Sequence, residues 1–266
     1  MELSLDTDKM IARKADGIGW VIFNNPARRN AVSLEMWQGV QQIMADYAAD
    51  DDVRVAVLAG AGDKAFVSGA DISEFEEKRN SAEAEEAYRQ VSLGAQRALA
   101  AFEKPLMAMI QGFCVGGGVA VALSADIRIA ADDAQFAIPA ARLGLGYNYP
   151  GIRTLSQLVG PAMAKEIFFT ARRYSAQEAY EMGLVNRVVP VADIEATVRE
   201  YAGMIAANAP LTIRAAKAAV REVLKDPDER DIDAVEAMVK ACFDSDDYAE
   251  GRRAFMEKRK PQFTGR

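Results

Sequence analysis

The chain has 266 residues, half of them hydrophobic, with a formal charge of -7, two cysteines and no histidine. That is enough apolar material for a substantial core in one domain, or one domain plus an appendage, and it excludes histidine triads, histidine metal sites and histidine acid–base chemistry, so proton transfer falls to carboxylates, Tyr, Lys, Cys or water. Cys114 and Cys242 are too few for a disulfide framework or a zinc cluster, the acidic balance argues against nucleic acid, and no apolar run reaches membrane-spanning length.

The N-terminus MELSLDTDK lacks a signal-peptide pattern, so a soluble cytoplasmic protein is expected. Met1–Asn24 alternates as strands do, most clearly over Gly17–Phe23, and Pro26 ends it. Ser33 can cap a helix whose apolar positions are Met36, Val40, Ile43, Met44 and Tyr47. Asp50, Asp51 and Asp52 close that unit before a strand at Val53–Leu58. Asp71 with Glu74 resembles a capping box, and Ser81–Lys104 has helical spacing at Tyr88, Val91, Ala95, Leu99 and Phe102.

Leu106–Ala131 reads as strand, glycine turn, helix, strand. Leu106–Ile110 is a short apolar run, Gly116, Gly117 and Gly118 follow Gly112, Val119–Ala125 suits a buried helix, and Ile127–Ala130 is a second strand. Bare N–H groups at the glycine turn could hold a phosphate or a developing oxyanion; the same glycines also serve tight helix–strand packing. A nucleotide fingerprint does not fit: there is no GxxxxGK[ST], and the GxGxxA at Gly60, Gly62 and Ala65 precedes the extended Phe66–Gly69 rather than a helix.

After Pro139, residues 141–151 form an irregular Gly- and Tyr-rich piece suited to a site wall. Pro161–Ala171 is a helix, Ser175 and Glu178 form a capping box for the next, and Gly183 ends it. Arg187–Pro190 is the last strand. From Ile194 the pattern is entirely helical, about four helices reaching Lys260, so an α/β unit over 1–190 and a helical region over 191–266 are expected. Residues 252–266 carry six Lys/Arg and one acid, a basic end that is either solvated or faces a polyanionic small molecule.

Five stretches, in order along nearly the whole chain, resemble the crotonase (enoyl-CoA hydratase/isomerase) superfamily: NPARRNAVS (Asn25–Ser33), KAFVSGADI (Lys64–Ile72), IQGFCVGGGVAVALSADIRIAADDAQFAIP (Ile110–Pro139), SAQEAYEMGLVNRVVP (Ser175–Pro190) and AFMEKRKPQF (Ala254–Phe263). The resemblance implies a spiral of ββα turns followed by a helical C-terminal region that assembles a trimer or a dimer of trimers. It also implies a coenzyme A thioester substrate, with coenzyme A carried by the substrate rather than by a separate cofactor, and no metal. Two backbone N–H groups would stabilise an enolate, one at the position of Ser68 and one at Gly117. Arg29, Ala31, Phe66, Ala70, Asp71, Ile72 and Gly116 would line the nucleotide and pantetheine path, with Asp71 also capping a helix. Lys260 and Phe263 would approach from the tail, of the same or a neighbouring subunit.

The departures from the family pattern bear on the reaction. Hydratases of the family use two glutamates, at the positions of Ala120 and Ala140 here. Asp132 and Asp133, in an expected surface turn, are poor substitutes. Loss of CO2 from a malonyl-type thioester needs no base, and PAARLGLGYNYPGI and FDSDDYAEGRRAFMEKRKPQFTGR are similar to stretches of methylmalonyl-CoA decarboxylases, in which the tyrosine matching Tyr147 lies at the reacting end. Those enzymes carry His where this chain has Ala70. Two other readings stay open: a hydratase or isomerase with a relocated acid, and an acyl-CoA-binding protein without catalysis.

Overall fold

The structure, a computed structural model, describes residues 3–71 and 82–266. Asp16 and Gly17, both at positive φ, turn the chain between β1 (Met10–Ala15) and β2 (Ile18–Phe23), which pair antiparallel. Ser33 then caps α1 (Leu34–Ala49), its Oγ accepting from the Met36 N–H at 3.4 Å.

Each of the next three stretches gives one strand to each of two sheets. They are β3 (Val55–Gly60) with β4 (Ala65–Val67), β5 (Leu106–Ile110) with β6 (Phe113–Val115), and β7 (Ile127–Ala131) with β8 (Gln135–Ala137). The helices between and after them are α2 (Ala82–Ala101), α3 (Gly117–Leu123) and α4 (Tyr149–Thr170). The chain then forms β9 (Tyr174–Ser175), α5 (Ala176–Glu181) and β10 (Arg187–Val189). The larger sheet runs β1-β2-β3-β5-β7-β10 and is parallel from β2 onward; the smaller runs β4-β6-β8-β9, parallel except for β9. Gly112 makes the crossing from β5 to β6 at φ 62°, where any Cβ would overlap the Lys64 carbonyl.

The burial explains the sequence pattern. Along β3, Ala56 and Leu58 join the main core with α1 and α2, while Val55, Val57 and Ala59 face a second cluster. That second face is covered by α6 (Ile194–Ala206), through Ile194, Val198 and Ala202. A strand buried on both faces reads as a continuous apolar run, which is why Val53–Leu58 and Leu106–Ile110 were legible as strands. Beyond α6 the chain forms α7 (Pro210–Val223), α8 (Ile232–Phe243) and α9 (Asp246–Glu257). Lys217 of α7 is anchored on the sheet, donating to Asp126 Oδ2 at 2.7 Å and to the Lys104 carbonyl at 2.9 Å. No helix among the described residues is long and apolar enough to cross a membrane.

Ser175 and Glu178 complete both halves of the expected capping box. The irregular piece expected over 141–151 is shorter than the sequence suggests. Asn148 Oδ1 accepts from the Gly151 N–H at 3.2 Å and starts α4, with Pro150 in the first turn. Asn-Tyr-Pro-Gly has turn composition, but a capping Asn followed by Pro in the first turn is also a helix start. Gly160, at φ 77° and ψ 159°, breaks α4 just before the helix expected from Pro161. The capping box expected between Asp71 and Glu74 falls partly outside the described residues.

Gly118 sets how closely α3 approaches β4, because a Cβ there would overlap the Val67 carbonyl oxygen and lie 2.8 Å from its carbon. Both obstacles are backbone, so relief requires moving a strand. Gly118→Ala is expected to destabilise the fold by about 3 kcal/mol, at the upper end for overpacking, read as a lower denaturation midpoint in urea at unchanged m-value.

Candidate active site

The site is built on a backbone zipper between residues 29–32 and 68–71. Asn30 is fully buried at φ 56°, a conformation Asn tolerates. Its Nδ2 donates to the carbonyls of Ala65 (2.7 Å) and Ala61 (3.0 Å), and its Oδ1 accepts from the Asn25 N–H (2.9 Å). That fixes the preceding loop against β4. Ser68 N–H then donates to the Arg29 carbonyl (3.2 Å), Val32 N–H to the Gly69 carbonyl (2.8 Å) and Asp71 N–H to the Val32 carbonyl (3.0 Å).

This register decides which amide is free. In the parallel bridge of Val32 with Ala70, Val32 bonds the residues on either side of Ala70, so Ala70's own N–H points to the opposite edge. On that edge lies Gly117: the Ala70 nitrogen is 3.8 Å from where a Gly117 Cβ would stand, and the Gly117 nitrogen 3.9 Å from where a Gly69 Cβ would stand. Gly116 bends the chain there at φ 55° and ψ −113°, its N–H donating to the Ala137 carbonyl at 2.8 Å. Neither the Ala70 N–H nor the Gly117 N–H has an acceptor among the described residues. The expectation for Ser68 is therefore corrected: its amide is spent on Arg29, its Oγ lies 3.3 Å from the Arg28 carbonyl, and the second free donor is Ala70, two residues on. The sequence could not show this, because a backbone donor leaves no side-chain signature.

The positions singled out for acid–base chemistry carry small or neutral side chains, Ala120, Ala140 and Tyr147. Ala120 stands in α3 and Ala140 is buried in a 3-10 turn whose carbonyl accepts from Leu143 and Leu145. Asp132 and Asp133 occupy the surface turn expected of them, accepting from the N–H groups of Val191 and Gly112 at 3.2 Å each. Tyr147 is half-buried, its ring edge-on to Phe168 at 5.0 Å and against Gly151, where a Cβ would come within 3.2 Å of the ring. Burial pushes its phenol above the usual range, and the Cys114 thiol of β6 adds to the shift. Among the described residues no group of three or more Cys, Asp or Glu side chains is placed to hold a metal ion.

The remaining candidates divide. Ala70 is exposed and Asp71 half-buried beside the free amides. Arg29 is exposed at φ 53°, its guanidinium 5.0 Å from the Phe113 ring at the start of β6. Ala31 is at the edge of burial in the zipper. Phe66 is corrected as a path-lining side chain: it is buried in the core, edge-on to Phe23 at 6.2 Å. Ile72 lies outside the described residues. Lys260 and Phe263 are not brought to these amides. Phe263 packs by Gly251 of α9, and its carbonyl and that of Thr264 approach Arg54, just ahead of β3, at 3.4 Å. Asn30 was missed; its only signal was an Asn where the chain must turn through a left-handed conformation.

The sequence profile of the family described as Enoyl-CoA hydratase/isomerase matches residues 13–266. The chain is 35% identical over 262 residues to the short-chain-enoyl-CoA hydratase of Clostridium acetobutylicum, covering 96% of this chain and 97% of that one. It is 34% identical over 256 residues to the crotonyl-CoA hydratase of Syntrophomonas wolfei, covering 96% and 98%. The solved structure of an enoyl-CoA hydratase/carnithine racemase from Magnetospirillum magneticum superposes with a TM-score of 0.90 at 39% identity, covering 98% of this chain and 97% of that one. The chain belongs to the enoyl-CoA hydratase/isomerase family and has the crotonase fold.

Because burial raises the Tyr147 pKa, its hydroxyl is expected to stay protonated past the ordinary tyrosine value of about 10. With the folded pKa above the unfolded one, stability is unaffected by this group below the unfolded value and falls as pH rises from there through the folded value. In a difference titration of the phenolate absorbance, the signal lost in Tyr147→Phe should belong to a group titrating above pH ~10.

Proposed function

We propose that the protein is a lyase acting on acyl-CoA thioesters, holding the thioester oxygen between the N–H groups of Ala70 and Gly117 while negative charge develops on it. The observation that carries this reading is the pair of facing amides without an acceptor among the described residues, together with the lack of a carboxylate at Ala120 and Ala140. Donors fixed before the reaction need no reorganisation when the charge appears, and one such donor is worth about 2.7–4 kcal/mol of barrier.

Without those carboxylates, the reaction best served is one in which the substrate supplies its own leaving group. In a malonyl-type thioester the bond between the α-carbon and the carboxylate breaks, its electron pair enters the enolate, CO2 departs, and the α-carbon takes a proton from solvent. Tyr147 offers a neutral hydroxyl that can hydrogen-bond the departing carboxylate without repelling it, where a glutamate would add a like charge. No cofactor is invoked beyond the coenzyme A of the substrate, and the cytoplasm is the expected compartment. The assembly expected is a trimer or dimer of trimers, with exposed apolar residues such as Phe243, Phe255 and Met256 as contacts. Lys260 and Phe263 would then serve a neighbouring copy's site. Sedimentation showing a stable monomer would remove that part of the reading.

Hydration with a relocated acid is the second reading, favoured by the names of the two relatives at 35% and 34% identity. The test is a panel of crotonyl-, malonyl- and methylmalonyl-CoA, read by mass spectrometry. CO2 release with crotonyl-CoA hydration slowed by ~10²–10⁴-fold per missing acid or base is expected. Hydration at ordinary hydratase rates puts the second reading first, and turnover of none leaves binding alone. Replacing the amide of Ala70 by a backbone ester should lower kcat by about 10²–10³. The same change at Ser68 should chiefly lower stability, since that N–H bonds Arg29. If CO2 release is found, Tyr147→Phe should reduce it; an unchanged rate would show that the hydroxyl has no part.

A further inference from the structure

Away from these amides, a partly open cavity of about 60 Å³ lies between the start of β3, the segment after α2, the start of α7 and the tail at 264–265. It has room for several waters or one small ion. Three cations line it, Arg54, Lys104 and Arg214, against one carboxylate, Asp51.

The three cations retain donor capacity. Lys104 gives two N–H groups to the carbonyls of Tyr47 (2.7 Å) and Asp50 (2.6 Å), leaving a third. Among the described residues, the side-chain bonds of Arg54 are two long ones, to the Phe263 and Thr264 carbonyls at 3.4 Å each. Arg214 gives Nη2 to Glu103 at 2.6 Å, but its Nε is buried without a partner. These groups also feel one another. Burial lowers the Lys104 pKa most; Asp51 and Asp50 raise it, and Arg214 and Arg54, the weaker influences, lower it. Pro210 and Leu211, the opening of α7, complete the wall, and no side chain caps that helix.

We propose that this cavity binds a small tetrahedral oxyanion of the phosphate or sulfate class, held by Arg54, Lys104 and Arg214. The ion accepts from the third N–H of Lys104 and from the guanidinium groups of Arg54 and Arg214, and adds negative charge to a lining of three cations and one carboxylate. Since Thr264 and Gly265 also line the cavity, the bound ion ties the tail to the start of β3 and to α7.

The test uses the full chain without any acyl-CoA, so its outcome is independent of the proposed reaction. Thermal unfolding is followed against inorganic phosphate, with sodium chloride holding ionic strength constant. A saturable rise in Tm is expected, with half-saturation moved upward roughly tenfold or more in Arg54→Gln and in Arg214→Gln, as loss of a charge-assisted bond implies. Isothermal titration of the unmodified chain with phosphate should give a saturable heat, whatever the stability of the variants. No saturable heat, or a Tm response equal to that of chloride or unchanged in both variants, overturns the proposal.

Discussion

The close approach of α3 to β4 is the constraint on which the rest of the site depends. It exists because Gly118 has no side chain to meet the Val67 carbonyl. With the helix seated there, Gly117 lies opposite Gly69 and Ala70, and two amides from distant parts of the chain face one gap. The other half of the constraint is Asn30, whose three side-chain hydrogen bonds fix the loop that pairs with residues 68–71. Buried polar groups of this kind are costly when left half-satisfied. The loop is therefore held in one register, and that register selects Ala70 rather than Ser68.

Much of the fold was legible in the sequence, for identifiable reasons. Strands buried on both faces give unbroken apolar runs, and Leu106–Ile110 matches β5 residue for residue. Helices with one buried face show their period, as Met36, Val40, Ile43, Met44 and Tyr47 of α1 do. The smaller sheet was not legible, since β4, β6 and β8 have three residues each and β9 has two, too short for any period to appear. The start of α4 was hidden because Asn148, Pro150 and Gly151 carry turn composition.

The glycine turn was legible from its residues as a possible oxyanion holder, whereas the second donor came only from the family resemblance, and then two residues off. Side-chain chemistry leaves residue types behind, which is how Ala120 and Ala140 could be read as missing acids. Backbone chemistry leaves none. Ser68 and Ala70 are equally plausible donors in a sequence, and hydrogen-bond geometry alone separates them. Phe66 is the reverse case: the resemblance implied a path-lining side chain, yet its ring is drawn into the core against Phe23.

A site whose electrostatic work is done by the main chain can change its reaction while keeping its frame. The amides of Ala70 and Gly117 persist through any substitution that preserves the backbone path, and that path rests on Gly118, Asn30 and the zipper rather than on the residues facing the substrate. Positions 120 and 140 are free of that structural duty: alanine fits both, in α3 and in the 3-10 turn, without disturbing the amides. On the proposed reading, charge at those two positions sets which step follows enolate formation, not whether an enolate is held. Ala120 and Ala140 are neutral and burial keeps the Tyr147 phenol protonated, so these three positions supply no anion, which on that reading suits a substrate bearing its own carboxylate better than one awaiting activated water.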